Sequence, residues 1–341
     1  MKHKTSSFLE LLNSFVTEYL PDAVGASPNT IKSYKAAFRL LLKYMYQEKE
    51  ISADQISFDI LGYQTITDFL LWLEKSRGCS ATTKNQRLSA LASFSSYAQN
   101  RDFAAASIFR SSIVKIPMKK AIHRKRAIFT REEVTMLLKL PDGYYEVGLR
   151  DKVLLSLMYA SGARAQEVCD LTVKDIHFSE KNASLNITGK GRKKRKIGIS
   201  YACASLVKGY IEHRKIAPCP ERHLFSSQTH EKMTVSCIEE IFKKYIWIAK
   251  QKNPGLFLDD RYTPHSMRHS TASHMLEAGV PLVVIKNFLG HSSLQSTQIY
   301  AEISQNTVDK HLTEWNERWF TMPSYALHST VRDSKIPDFL N

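Results

Sequence analysis

Apolar side chains recur every three or four positions over residues 8 to about 110, which is the spacing of amphipathic helices. The first stripe consists of Leu11, Phe15, Tyr19 and Leu20. Two further series begin after Ser27 and Ser80, and a serine there caps a helix because its hydroxyl accepts a hydrogen bond from the first turn. Another helix is expected near residues 65–75. These patterns predict an N-terminal part made of helices.

The helix expected after Ser80 combines an apolar stripe with a polar, cationic start. The stripe consists of Leu88, Leu91, Phe94 and Tyr97. The first turns carry hydroxyls and cations, namely Thr82, Thr83, Lys84 and Arg87. Together with N-terminal amide groups, these side chains suit contact with phosphates. A solvated helix face without a ligand explains the same residues about equally well, so both interpretations stay open.

Helical periodicity fails over residues 111–130, where positive charge collects around Pro117. The cations are Lys115, Lys119, Lys120, Arg124, Lys125 and Arg126. A segment of one charge sign between folded units is expected to be a linker that can lie along a polyanion. We therefore predict a helical domain at 1–112, a basic linker at 113–130, a second domain at 131–322 and a C-terminal tail at 323–341.

The second domain is predicted to be helical apart from one small hairpin. Thr130 followed three residues later by Glu133 forms a capping box at its first helix. Short alternating runs at Leu185–Thr188 and Lys196–Ser200 flank a Gly-Lys-Gly turn, which predicts two antiparallel strands. The tip of this hairpin carries Arg192, Lys193, Lys194 and Arg195. The fold class is thus mainly α with a small antiparallel β-sheet.

After Tyr201 the pattern is again helical to about Trp319, with breaks at residues 279–281 and at Gly290. A length of 341 residues is enough for two domains of ordinary size. The remaining question is what such a protein binds.

The net charge of the chain is the bulk property that best indicates its binding partner. The chain has 48 Lys and Arg against 33 Asp and Glu, a net charge of +15, so a polyanion such as nucleic acid is the expected partner. Neither a long apolar run nor a clean signal core is visible, and a cytoplasmic, nucleoid-associated location without membrane contact is expected. The 5 cysteines match no zinc spacing, so no metal site is expected.

Four polar islands in the second domain carry the candidate chemistry. They are centred on Arg164, on Lys190, on His265 with Arg268 and His269, and on His291 with Tyr300. Arg164 should start a helix after Ser161-Gly162, and Thr263 should cap the helix of the third island. Taken alone, Arg164 is as well explained by a surface pair with Glu167, and Tyr300 by a place in the core.

Taken together, these residues match one reaction, transesterification at a phosphodiester. Two guanidinium groups can hold the non-bridging oxygens and stabilise the charge of the transition state. The phenol of Tyr300 attacks phosphorus, and His265 is the best-placed base for a group whose ordinary pKa is about 10. Lys190 on its mobile turn is the natural proton donor to the departing oxygen, and His291 can hydrogen-bond the phosphate.

The islands resemble the signature of the tyrosine recombinase or phage integrase family. The resemblance lies in RDKVLLSLMYASGARAQEV, in GKG and in HSMRHSTASHMLEAGVPLVVIKNFLGHSSLQSTQIY, which cover most of residues 146–303. By this resemblance the catalytic residues are Arg164, Lys190, His265, Arg268, His291 and Tyr300, with Glu167 and His269 supporting them. It also implies a SAM-like, core-binding domain at 1–112 that clamps DNA, and a catalytic domain at 131–322.

The resemblance implies an enzyme that cleaves and rejoins DNA through a 3′-phosphotyrosyl intermediate, without a cofactor. Its expected partners are double-stranded DNA with inverted half-sites, three further copies of the chain in a tetramer, and accessory element-encoded proteins. The tail is longer than in Xer-type proteins, which favours an integrase or transposase of a mobile element. A Xer-type resolution recombinase and a non-catalytic DNA-binding regulator are the alternatives. The threonines and cations of the Ser80 helix, the linker and the hairpin tip are the expected DNA contacts.

Overall fold

The computed structural model describes residues 7–120, 127–180, 183–189, 193–259 and 261–290. The chain divides into two compact units, Met1–Arg124 and Lys125–Asn341. The division falls inside the basic segment that the sequence predicts as a linker. Each unit has its own hydrophobic core.

The first unit is helical, as its apolar pattern predicts. Its α-helices are α1 Ser7–Ser14, α2 Pro28–Lys49, α3 Tyr63–Lys75, α4 Ala81–Gln99 and α5 Phe103–Lys115. Both predicted caps are confirmed, because the Ser27 and Ser80 hydroxyls accept hydrogen bonds from the amides of Thr30 and Thr83, at 3.2 and 3.3 Å. Phe94 of α4 lies at the centre of the core, and its ring contacts five other phenylalanine rings.

The N-terminal stripe differs in detail from its prediction. The buried side chains are Phe8, Leu12, Phe15 and Leu20, whereas Leu11 and Tyr19 are half-buried. The reason is that Phe15–Ala23 forms a π-helix, whose wider turn brings residues five apart onto one face. Leu20 is five residues after Phe15 and therefore shares its buried face.

The described part of the predicted linker belongs to the folded units. Helix α5 continues to Lys115, and the backbone of Lys119 exchanges hydrogen bonds with the Asn85 side-chain amide at 2.8 and 2.9 Å. At the other end, Phe129 is fully buried in the core of the second unit, and its amide donates to the Ser270 hydroxyl at 2.7 Å.

Within its described residues, the second unit has seven α-helices, a 3-10 helix at Val173–Asp175 and one small sheet. The helices are α6 Arg131–Lys139, α7 Glu146–Ser161, α8 Ala165–Asp170, α9 Tyr201–His213, α10 Val235–Lys252, α11 Pro264–Glu277 and α12 Leu282–Leu289. The strands are β1 Ile176–Phe178, β2 Ala183–Thr188 and β3 Lys194–Ile199, antiparallel in the order β1-β2-β3. The predicted capping box of Thr130 and Glu133 and the predicted hairpin are confirmed. Strand β1, only three residues long, was not predicted.

Two stretches predicted as helical are irregular, one between α9 and α10 and one between α10 and α11, where the described residues 253–259 and 261–263 form no helix. Between α9 and α10, residues 214–234 form loops that an isolated bridge between Thr172 and His223 ties to the unit. Pro218 and Pro220 lie in this stretch and cannot continue a helix, because proline lacks the amide donor. No helix among the described residues is long and apolar enough to cross a membrane.

Candidate active site

The turn between α7 and α8 presents Arg164 at the start of α8. Helix α7 ends at Gly162 with a φ of 57°, a left-handed conformation that glycine adopts without steric cost. Arg164 then caps α8, as predicted, and its amide donates to Glu167 Oε2 at 2.8 Å. Its Nη1 donates to Glu167 Oε1 at 2.8 Å, while 31% of its side chain stays exposed. Arg164 is therefore both anchored and accessible.

Glu167 is the buried anion of the site. Its carboxylate also accepts hydrogen bonds from Arg195, from Nη1 at 3.0 Å and from Nη2 at 2.7 Å. Burial by itself opposes ionisation of Glu167, but the hydrogen bonds from Arg195 and from the Arg164 amide outweigh it and lower the pKa of the carboxyl. The supporting role predicted for Glu167 thus has a geometric basis. Glu167 binds Arg195 as well as Arg164, and the sequence did not indicate the contact with Arg195.

Helix α11 carries the third island as predicted. The Thr263 hydroxyl caps the helix at the Ser266 amide, and Pro264 occupies the first turn. His265 is exposed and His269 is 8% exposed, and their rings meet edge to face with centroids 5.9 Å apart. The two histidines therefore lie on one face of the helix, on either side of Arg268 in the sequence.

Arg268 is only 2% exposed and joins three helices. Its Nη1 donates to the Gly162 carbonyl and its Nη2 to the Leu289 carbonyl, both at 2.6 Å. These carbonyls lie at the C-terminal ends of α7 and α12, where helix dipoles concentrate partial negative charge and stabilise a cation. The contact with Gly162 also brings the Arg268 guanidinium beside the turn that carries Arg164.

The hairpin and the end of α12 border the same cluster. Near the hairpin tip the Gly189 amide donates to the Lys193 carbonyl at 2.8 Å. Helix α12 ends, as predicted, at Gly290, which has a φ of 68°. Gly290, the last described residue, therefore lies next to this cluster and directly precedes His291 in the sequence.

Arg195, predicted to contact DNA from the hairpin tip, instead has internal partners in the structure. Its side chain is 11% exposed, and besides Glu167 it donates from Nε to the Phe288 carbonyl at 3.1 Å. The sequence held a signal for this, because Arg195 alternates with the buried Ile197 and Ile199 on β3. A strand turns every second side chain to the same face, so Arg195 faces inwards.

Three other predicted DNA contacts, Lys84, Arg87 and Lys119, have internal partners. Lys84 is 6% exposed and pairs with Glu74 of α3, so its ammonium group already has a carboxylate partner within the first unit. Arg87 is half-buried and donates to the Ser33 carbonyl at 3.2 Å. Hydrogen bonds from Lys84 and then Lys119 lower the pKa of Glu74 to about 2. The cations at the start of α4 thus partly serve to join helices, since Lys84 binds α3 and Arg87 binds α2.

The other predicted contacts divide into exposed residues and residues outside the described part of the chain. Thr82, Lys120, Lys193 and Lys194 are exposed and Thr83 is half-buried. Lys190, His291 and Tyr300 lie outside the described residues, as do Arg124, Lys125, Arg126 and Arg192. Their roles remain predictions. Within the described ranges, no cluster of three or more His, Cys, Asp or Glu side chains could hold a metal ion.

Family comparisons agree with this geometry in both units. Residues 127–307 match the family model described as the phage integrase family, and residues 7–116 match the phage integrase SAM-like domain. The chain belongs to the phage integrase family, the family of tyrosine recombinases. The family and fold class predicted from the sequence are confirmed.

Relatives cover nearly the whole chain. An integrase/recombinase of Sinorhizobium fredii, y4rC, is 32% identical over 99% of both chains. The tyrosine recombinase XerD of Halalkalibacterium halodurans is 30% identical over 82% of this chain and 89% of its own.

Two solved structures share the fold. The XerH recombinase bound to its difH substrate superposes with a TM-score of 0.66 at 21% identity, covering 90% of this chain and 88% of its own. The Tn1549 transposon integrase in complex with circular intermediate DNA has a TM-score of 0.68 at 16% identity, covering 91% of this chain and 100% of the solved one. Both Xer proteins and a transposon integrase match. These comparisons therefore do not distinguish a mobile-element integrase or transposase from a Xer-type resolution recombinase.

Proposed function

We propose that this chain is a site-specific DNA recombinase that cleaves and rejoins DNA strands through a covalent bond between Tyr300 and a backbone phosphate. One observation carries the proposal. The Arg268 guanidinium lies 2.6 Å from the carbonyl of Gly162, two residues before Arg164, so Arg268 contacts the same helix junction that carries Arg164. Paired guanidinium groups held in advance are what a phosphoryl transition state without a metal requires.

The two arginines bind the phosphate in different ways. Arg164 is fixed on one edge by Glu167 and offers its exposed part to a non-bridging oxygen. Arg268 is oriented by the carbonyls at two helix C-terminal ends, whose partial negative charge stabilises its guanidinium. Together they stabilise the additional negative charge that develops as the phenol attacks.

The covalent step exchanges one phosphoester for another. The Tyr300 oxygen forms a bond to phosphorus, the bond from phosphorus to the 5′ oxygen breaks, and the strand is left with a 3′-phosphotyrosyl link and a free 5′-hydroxyl. His265, exposed at the start of α11, accepts the phenol proton, and Lys190 donates a proton to the departing oxygen. His291 hydrogen-bonds the phosphate. Energy is conserved in the phosphotyrosyl bond, so rejoining needs no nucleotide cofactor.

The substrate of this reaction is double-stranded DNA with inverted half-sites, bound by a tetramer. Support comes from the net charge of +15 and from the exposed Thr82, Lys120, Lys193 and Lys194. The biological role that we propose is integration or transposition of a mobile element, supported by the 32% identity to an integrase/recombinase over 99% of the chain. Dimer resolution of the Xer type is the second candidate, supported by the 30% identity to XerD.

The decisive experiment is covalent trapping on nicked DNA. Duplexes that carry the ends of the element encoding the protein, nicked near the expected cleavage position, are incubated with the full chain and separated under denaturing conditions. Wild-type protein is expected to form a denaturant-resistant adduct in the presence of a metal chelator. Tyr300→Phe is expected to abolish it, while Tyr144→Phe, at a side chain 97% exposed, is expected to retain it. Adduct in the Tyr300 variant, or a requirement for a divalent metal, would refute the mechanism.

A further inference from the structure

We propose that Arg195 is a positioning residue of the recombination reaction, which holds Glu167, the hairpin tip and the end of α12 in one arrangement. The inference rests on the proposed function. Arg195 is not among the six residues proposed to act on the phosphate, and its side chain points inwards from β3.

The contacts of Arg195 join its own strand β3 to two other elements. Two nitrogens bind the Glu167 carboxylate of α8, at 2.7 and 3.0 Å, and Nε binds the Phe288 carbonyl in the last turn of α12 at 3.1 Å. A bidentate contact fixes direction as well as distance, because the planar guanidinium matches the carboxylate. Arg195 thus connects the anchor of Arg164 to the helix end that precedes His291.

Two glycines leave the space through which this side chain passes. A Cβ at Gly290 would lie 3.0 Å from Arg195 Cδ and 3.2 Å from Nη1. A Cβ at Gly189 would lie 3.2 Å from Glu167 Oε1 and 3.3 Å from Arg195 Nη1. These glycines directly precede Lys190 and His291 in the sequence. The two proposed catalytic residues are therefore attached to backbone that packs against Arg195.

Charge gives Arg195 a second effect on the reaction. Among the described residues, the charged groups that face Glu167 are Arg164 of its own helix and Arg195 of β3. With both arginines present, the cluster keeps one net positive charge beside the phosphate. Without Arg195, Arg164 and Glu167 neutralise each other, and less positive charge remains for the transition state. Loss of Arg195 also lets burial raise the pKa of Glu167.

The test compares Arg195→Gln with Lys196→Gln, which removes the same charge from an exposed neighbour on the same strand. We expect Arg195→Gln to slow single-turnover adduct formation by about 10- to 100-fold, the range typical of supporting residues around a reactive site. The Kd for DNA should change no more than in the Lys196 variant. The acid limb of the pH–rate profile should move to higher pH only in the Arg195 variant, because Glu167 then accepts a proton more readily.

A double variant keeps the test informative if Arg195→Gln does not fold. Glu167→Gln with Arg195→Gln leaves no unpaired carboxylate, and it should fold, form adduct slowly and lack the Glu167-dependent acid limb. The rate loss of the double variant should be smaller than the product of the two single losses, because both act through one contact. If Arg195→Gln instead lowers DNA affinity at an unchanged rate of adduct formation, Arg195 is a DNA contact and the proposal fails. Failure of the proposed function looks different, since adduct would then persist in Tyr300→Phe.

Discussion

Replacing Gly162 by alanine tests the helix junction on which the proposed site depends. Gly162 has a φ of 57°, and a left-handed conformation costs a residue with a Cβ about 1–2 kcal/mol. The added Cβ would also lie 2.8 Å from Leu289 Cδ2 and 3.1 Å from Phe288 Cε1. Leu289 is fully buried, so any shift of its methyl group disturbs the surrounding core, and overpacking adds about 1–3 kcal/mol. The expected total loss is roughly 2–5 kcal/mol of unfolding free energy.

Gly78→Ala is the matched control, because Gly78 has a φ of 61° but nothing within 4 Å of its Cβ position. It should cost only the backbone part, about 1–2 kcal/mol. Urea unfolding followed by hydrogen exchange measures the stability of α7 and α12 separately from that of α3. The loss caused by each variant is therefore measured in the unit that carries the substitution. Gly162→Ala should also slow adduct formation, because Arg268 binds the carbonyls of both Gly162 and Leu289. Equal losses in the two variants would refute the close approach of α12 to this turn.

Two further predictions address charge. Arg268→Lys should reduce the rate of adduct formation by about 10²–10³-fold, with little change in DNA affinity in a gel-shift assay. The reason is that a single ammonium group cannot contact two carbonyls and a phosphate at once, as the guanidinium group does. A near-normal rate would contradict the role assigned to Arg268. The Glu74 pair with Lys84 should stabilise the first unit above the ordinary pKa of 4.5, and this contribution should be lost as pH falls towards about 2, the folded pKa. Melting temperatures of wild type and Glu74→Gln should therefore differ at pH 7 and converge near pH 2, and a constant difference would exclude this titration.

The candidate site divides into a part that the sequence predicts and a part that it does not. Local patterns predict that Arg164 starts a helix, that Thr263 caps α11 and that α12 ends at Gly290. The inward position of Arg195 was missed, although the alternation of β3 contained it. The basic charge of the hairpin tip favoured a solvent-exposed Arg195. The alternation of side chains along β3 favoured an inward-facing one.

What the sequence determined by itself was local. Helix starts at Ser27, Ser80 and Thr130 were predictable because a cap joins a side chain to an amide three residues away. What only the tertiary structure decided was the partner of each buried charge. Arg195 finds Glu167 from another element, 28 positions along the chain, and Arg268 binds backbone carbonyls, which every residue carries and no residue type marks. Such choices depend on which elements pack together, because a buried charge is stabilised by whatever opposite charge or dipole the fold brings within hydrogen-bond distance.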